Sequence, residues 1–574
     1  MRRLVSALAL ASILVLVASS SALAADTQLV RVSRGDPFTN CVLGGNVFGG
    51  FNYRSAEVEP WIADNPANTA NVIGTWQQDR WSDGGAKGQV ASWSFDAGLT
   101  WGQTPQPFTK CAQPFYSTRV LQYERTSDPW VSIGPDGTAY AVSLPFDGDF
   151  IRSGLGAAVS HDGGRTWLHQ QDLDPLVARQ DTGFPTDDKE SVTADPQRAG
   201  WAYAVWDQLQ DIFTTPCPTA QTRAAINRGS GGSDQRGARV ASRAAAGPQP
   251  CPGIATGPAF LSRTKDGGRT WEKPRPIVPT AVNEQTIGNV IVVDRHTGVL
   301  YDFFNFIEAS GTNNIEMVFS TDHGTTWSAK QYVQRLFTTA ESRAAGCACG
   351  VVYPGDESKP LRTGDIIPAA TIDPNTGQLY VVWQDGRPNA FKNDMLLAST
   401  STKGGLEGTW STPTLVNPPT DKAAFTAGIA VDRKGRLGVI YYDFTPRLTS
   451  PDILLTDTWF TSTTGPGLDF GSRTLIGGPY NTLALPVARG FFAGDYEGLT
   501  ARVPALDRDN QDQGQNAQNG TSIQDQVGNG MGGFVPLFVM ANCKNNSCRA
   551  VGTPDGAPAG PDSTDTFTRV SPPD

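Results

Sequence analysis

The sequence predicts an all-β protein, a single β-propeller of four-stranded blades, with seven blades favoured and six as the alternative count. Three observations predict it. A turn motif recurs four times, a strand–turn–strand motif recurs six times out of phase with it, and the interval between copies suits one four-stranded sheet per repeat.

The turn motif is SFDAGLTW from Ser94 to Trp101, SHDGGRTW from Ser160 to Trp167, TKDGGRTW from Thr264 to Trp271 and STDHGTTW from Ser320 to Trp327. A degenerate fifth copy, STKGGLEGTW from Ser401 to Trp410, has lost its aspartate. The pattern has a local physical reason. Between two antiparallel strands, Asp96, Asp162, Asp266 and Asp322 can accept hydrogen bonds from nearby backbone N–H groups. Gly98, Gly164, Gly268 and Gly324 take the positive φ that a side chain disfavours. Trp101, Trp167, Trp271 and Trp327 pack large apolar rings between strands. All of these therefore read as turn chemistry rather than catalysis. The motif resembles the Asp box of sialidases and other BNR-repeat propellers, and that resemblance implies a sialidase-like superfamily fold. The Arg-Ile-Pro motif that precedes the first Asp box in sialidases is absent; Glu59-Pro60-Trp61 stands in the nearest place.

The second motif begins on a polar or acidic residue, runs through an apolar strand into a tight turn and returns as an apolar strand. Copies start near Glu59, Asp128, Lys189, Asn289, Ile366 and Phe425, at spacings of 69, 61, 100, 77 and 59 residues. Each reads as a β-hairpin, the two inner strands of a blade. The long interval holds an insertion rich in Gly, Ser, Ala and Arg, at about 216–257. A seventh, weaker copy starts at Ala493 and resumes at Phe534, around a polar stretch, 507–533. Both insertions read as mobile loops. The segment from Gln28 to Ser33 is placed as a closing strand in the last blade.

Residues 1–24 read as a secretory signal peptide, with Arg2 and Arg3, an apolar stretch and a small-residue end, leaving 25–574 as the propeller. The expected location is extracellular, with no membrane span. A net charge of -10 without a basic run excludes a nucleic-acid partner. Eight cysteines in an exported chain imply disulfides, with Cys41–Cys111, Cys217–Cys251 and Cys543–Cys548 as the pairs proximity suggests. No cofactor is expected beyond a structural Ca²⁺ that acidic loops could hold, and the chain is expected to be a monomer.

In a four-stranded blade the first and third turns share a face, so the Asp boxes mark the bottom. Strand-one starts and strand-two ends mark the top, around the central channel. The four histidines, His161, His169, His296 and His323, fall in or beside bottom turns or on outer strands. That argues against a Ser-His-Asp hydrolase or a His-ligated zinc enzyme. Carboxylates, Tyr and Arg remain. Gly494-Asp495-Tyr496-Glu497-Gly498 combines two acids, a phenol and two glycines, so Asp495, Tyr496 and Glu497, with Asp128 and Glu190, are the catalytic candidates. Arg80, Arg387, Arg489 and Asp365 are the substrate-binding candidates.

The resemblance to sialidases implies an Arg cluster for a sugar carboxylate, a Tyr nucleophile activated by Glu and an Asp acid/base, but their residues cannot be carried over one by one. The expectation is a glycoside hydrolase acting on sialylated or other acidic glycans, with a carbohydrate or cell-surface glycoprotein as partner. A non-catalytic glycan- or protein-binding propeller and a polysaccharide lyase are the alternatives.

Overall fold

The computed structural model describes residues 28–43, 50–149, 151–177, 185–213, 253–339, 352–353, 356–401, 406, 409–444, 454–502, 533–541 and 564–570. Residues 1–24, read above as a signal peptide, the second insertion up to residue 532, Cys217, Cys251, Cys543 and Cys548 lie outside them.

Among the described residues, seven groups of four antiparallel strands follow one another, the first two joined into one ten-stranded sheet through the pair Ala86 and Thr126. Sheet I is Glu57–Asp64, Val72–Arg80, Ala86–Ser94 and Gly102–Pro105; sheet II is Arg125–Ile133, Ala139–Phe146, Gly156–Ser160 and Leu168–Asp172. Sheet III is Thr186–Ala194, Ala202–Phe213, Ala259–Thr264 and Arg275–Val278; sheet IV is Gln285–Val293, Leu300–Ile307, Asn313–Ser320 and Gln331–Arg335. Sheet V is Ala369–Ile372, Leu379–Asp385, Met395–Thr400 and Thr414–Leu415; sheet VI is Phe425–Val431, Leu437–Phe444, Leu455–Ser462 and Thr474–Asn481. Sheet VII draws on both ends of the chain: Gly498–Ala501, Phe534–Ala541 and Thr564–Val570, with Gln28–Arg31 as its outermost strand. The first insertion is not a loop throughout. Its end, Gly253–Thr256, is a strand paired with the extended second strand of sheet III.

Packing follows from alternation along strands that bury both faces between neighbouring sheets. Trp76, Trp206 and Trp383, on the second strands of sheets I, III and V, are completely buried, as are Tyr140 and Tyr441 on those of II and VI. The first strands touch in cyclic order, and that of sheet VII closes on that of sheet I. The seam there is pinned from sheet I: the Glu57 N–H donates to Thr564 Oγ1 at 2.7 Å, and the Glu57 carboxylate accepts from the Thr566 N–H at 2.8 Å. A disulfide joins Cys41 to Cys111, tying the segment after the N-terminal strand to the loop that follows sheet I.

The four turn motifs adopt one hydrogen-bonded form. In the first, Ser94 Oγ donates to Asp96 Oδ1 at 2.8 Å, and the Thr100 N–H and hydroxyl donate to the two carboxylate oxygens at 2.8 and 2.5 Å. Equivalent bonds to Asp162, Asp266 and Asp322 repeat it in sheets II, III and IV. Burial works against ionisation of Asp322, but the donors from Thr326 and Ser320 outweigh it and hold the carboxyl near 2. The fifth motif is described only in part, with Ser401 bridged to Trp410.

Candidate functional site at the hub

One backbone irregularity builds the centre of the ring. The first strands of sheets I, II, III, IV and VI each shift register at the same place, between Val58 and Trp61, Ser127 and Trp130, Asp188 and Ser191, Ile287 and Val290, and Phe425 and Gly428. At each bulge one residue takes a positive φ: Glu59 (53°), Asp128 (51°), Lys189 (49°), Gly288 (71°) and Thr426 (52°). Bulges re-aim side chains. Here the first three bulges bring a glutamate, an aspartate and a lysine together at the axis.

Lys189 is the meeting point, its side chain only 3% exposed. Its ammonium lies 3.3 Å from Glu59 Oε1, 3.0 Å from Asp128 Oδ1 and 2.8 Å from Asp495 Oδ2, joining sheets I, II and III to the segment entering sheet VII. Arg362 completes the cluster. It ends the strand Asp356–Arg362, which pairs in parallel with Phe491–Phe492 just ahead of Asp495. Its guanidinium donates to both Asp495 oxygens, with Nε to Oδ1 at 2.9 Å, in a bidentate fork. Gly494 allows the approach, since a Cβ there would stand 3.0 Å from the Glu59 backbone.

The charges divide. Burial disfavours the ionised form of every acid here, but at Asp128 the field of Lys189, and at Asp495 those of Arg362 and Lys189, override it and keep both carboxyls below their ordinary range. Glu59 goes the other way: burial dominates, Lys189 offsets only part of it, and Asp128 and Asp495 add repulsion, pushing it up to about 8. Glu190 follows Lys189 in the chain and is pushed well up by burial and by Asp128. Both of its carboxyl oxygens are buried with no hydrogen-bond partner among the described residues.

Beside this cluster a cleft opens, with about 710 Å³ of space when its open mouth is included. One side is Trp61, Trp130, Lys189, Glu190, Asp495 and Tyr496; the other comes from sheets IV to VI and the segment before sheet V, including Asn289, Gln384 and Ile429. Trp61 stacks on Trp130 with ring centroids 3.5 Å apart, and the Tyr496 ring meets both edge-on.

The sequence candidates separate on this geometry. Asp495, Tyr496 and Glu190 line the cleft, and Asp128 stands behind it on Lys189. Glu497 turns away and accepts from the Tyr442 hydroxyl at 2.6 Å in the packed zone between sheets VI and VII. Tyr496 has no base at its phenol: its hydroxyl donates to the Pro129 carbonyl at 3.2 Å. Arg80 is buried and donates to Gln77 Oε1 at 2.6 Å.

The remaining expected ligands of a sugar carboxylate do not converge. Arg387 is partly exposed and pairs with Asp385 in its own sheet while donating to the Arg335 carbonyl of sheet IV at 3.0 Å. Arg489 is half-buried with φ of 68°, and Asp365 is buried near Asp394, whose carboxyl rises to about 7 through burial and the Asp365 charge. Neither lines the cleft, and among the described residues no arginine does. Strand ends that share a face still lie at different distances from the axis, which keeps these residues apart from the cluster around Lys189.

Sequence reasoning passed over Lys189 and gave Arg362 no role. A signal for the first was present, because the repeat alignment sets Lys189 beneath Glu59 and Asp128. Arg362 is one of several arginines the sequence sets near the mouth, and what singles it out is the parallel pairing with Phe491–Phe492. Among the described residues no group of three or more His, Cys, Asp or Glu could hold a metal ion, and no helix is long and apolar enough to cross a membrane.

No family model matches the chain, and no curated protein does. Among solved structures it is similar to the Hadza microbial sialidase Hz136, at 15% identity and a TM-score of 0.36 over 77% of this chain and 70% of that one. It is similar also to an alpha-L-arabinanase from Penicillium chrysogenum complexed with arabinobiose, at 14% identity and a TM-score of 0.38 over 68% and 93% of the two chains. A third is the Trypanosoma rangeli sialidase in complex with the inhibitor DANA, at 13% identity and a TM-score of 0.36 over 79% and 56%. The chemistry of the cleft rests on its own residues.

Proposed function

We propose that this chain is an exported seven-bladed propeller of the sialidase-like kind that takes the end of a glycan into the hub cleft and hydrolyses its terminal glycosidic bond. The observation that carries this reading is the pairing of two carboxyls in opposite states in one cleft wall. Glu190 is buried and without a hydrogen-bond partner among the described residues, and burial and Asp128 push it well up, which favours its protonated form, while Arg362 and Lys189 favour the ionised form of Asp495. Glycoside hydrolysis needs a proton donor for the leaving oxygen and an anion that stabilises or attacks the sugar cation, and carboxyls whose environments push them apart fill those roles. The Trp61–Trp130 stack supplies an apolar surface for the face of a sugar ring.

Screening the purified protein against fluorogenic glycosides, sialosides included, tests this. Glu190→Gln is expected to lower kcat by about 10²–10⁴-fold, the usual worth of a general acid. Tyr496→Phe is expected to keep most activity, since its phenol serves a backbone carbonyl; an equal loss in both variants would move the nucleophile to Tyr496.

A non-catalytic glycan-binding propeller is the second reading. It is favoured by the way Lys189 and Arg362 tie Glu59, Asp128 and Asp495 into a network that braces the ring. Binding without turnover across the panel would select it.

A further inference from the structure

The hydrogen-bonding inventory of the cleft is lopsided. The Lys189 ammonium is held by carboxylates from three directions, and the Tyr496 hydroxyl donates to the Pro129 carbonyl. Asn289 turns its amide nitrogen to Asp207, and Gln384 turns its own to the Thr363 carbonyl at 3.1 Å, which fixes both amide orientations. What remains is mostly acceptors. Oδ1 of Asn289, Oε1 of Gln384 and the two oxygens of Glu190 are buried in the cleft walls with no partner among the described residues, and in its protonated form Glu190 offers one acceptor and one donor. An acceptor buried without a donor is unfavourable, so a ligand that brings donors to these walls gains more than one that brings further acceptors.

We infer that the hub cleft selects a neutral, hydroxyl-rich terminal sugar over a carboxylated one. Sugar hydroxyls can donate to the unpartnered oxygens on sheets III, IV and V while a ring face lies on the tryptophan stack. A carboxylate would set acceptors against acceptors and bring negative charge beside Asp495, and no arginine among the described residues lines the cleft to receive it. The guanidinium of Arg362 is closed on Asp495. An ammonium-bearing sugar brings donors too, but its charge would have to leave water beside Lys189, in a wall whose charges are already paired. This inference rests on the glycan reading of the cleft and narrows it to a substrate class.

Calorimetric titration of the full chain with D-glucose, D-galactose, L-arabinose, D-glucuronic acid, N-acetylneuraminic acid and D-glucosamine tests it. At least one neutral sugar is expected to bind with a Kd ten-fold or more below those of the two acids and the amine. Tightest binding by an acid or by glucosamine, or binding by none of the six, would overturn it. In parallel, Gln384→Met, which removes one acceptor at similar volume, should weaken the neutral sugar about five- to ten-fold with its melting temperature recorded alongside; unchanged affinity in a folded variant counts against the inference. Neutral-sugar binding without hydrolysis of any glycoside would end the hydrolase reading and leave this one standing. Cleavage of sialosides would do the reverse.

Discussion

The first three sheets and sheets IV and VI share the same bulge, yet they fill it differently. Glu59, Asp128 and Lys189 occupy it on one side of the ring, Gly288 and Thr426 on the other. A positive φ costs an L-residue about 1–2 kcal/mol, so three charged residues there keep the conformation through the ion cluster they form. Gly288 adopts it without that penalty, and its site is crowded: a Cβ would stand 2.8 Å from the Ile367 side chain. One side of the hub is thus organised by charge and the other by close packing, and the cleft lies where the two meet.

Breaking the charged side should have the largest effect. Lys189→Met leaves the buried Asp128 carboxylate without its cation and Asp495 with Arg362 alone, and is expected to destabilise the fold by about 3–5 kcal/mol, read as a lowered urea midpoint. Glu59→Gln should act through pH. In the folded chain Glu59 keeps its proton up to about 8, against an ordinary value of 4.5. The folded state therefore binds more protons between those values, and this contribution to stability, full below about pH 4.5, is lost as pH rises through about 8. The substitution should flatten that fall in a series of denaturation midpoints, and an unchanged slope would contradict the assignment.

On the packed side, Gly288→Ala is expected to cost about 1–3 kcal/mol, through overpacking against Ile367 and strained backbone. Thr426→Gly should cost less, about 1 kcal/mol, because glycine adopts its φ freely while the bond from the Thr426 hydroxyl to the Thr363 carbonyl is lost. Equal effects at the two positions would show that the bulge alone, and not its surroundings, sets the penalty. The smallest change is expected far from the hub: Asp162→Ala removes the bonds from Thr166 and should cost about 1 kcal/mol, with sugar binding at the hub unaltered at a temperature where the variant is folded.

What could be read from the sequence tracks how local each interaction is. The Asp-box turns are contained within about eight residues, so their hydrogen bonds could be anticipated from Asp, Gly and Thr spacing alone. The hairpins were legible for the same reason, and so was the segment at Gln28, whose alternation suits a strand. Its partner Thr564–Val570 is a short polar-aromatic stretch with no turn signal and was not anticipated. The hub defeats such reading, because Lys189 and Asp495 are 306 positions apart and their pairing depends on bulges of one residue in several strands. Glu497 shows the converse: it sits two residues from Asp495 in a tempting cluster, yet both lie outside a strand, and the turn of the backbone into Gly498–Ala501 delivers it to Tyr442.

The mixed origin of sheet VII sets an order of events. Translation releases Gln28–Arg31 long before Thr564–Val570, the strand it must pair with, so the earliest strand stays without its partner until nearly all of the chain has emerged. Such long-range pairing is slow and exposes an unpaired edge in the meantime. The Cys41–Cys111 bond shortens the wait in space, since once sheet I has formed it keeps the waiting strand moored beside the place where the last sheet arrives. Under reducing conditions that mooring is gone, and refolding yield, more than the stability of the finished ring, is where its loss should be felt.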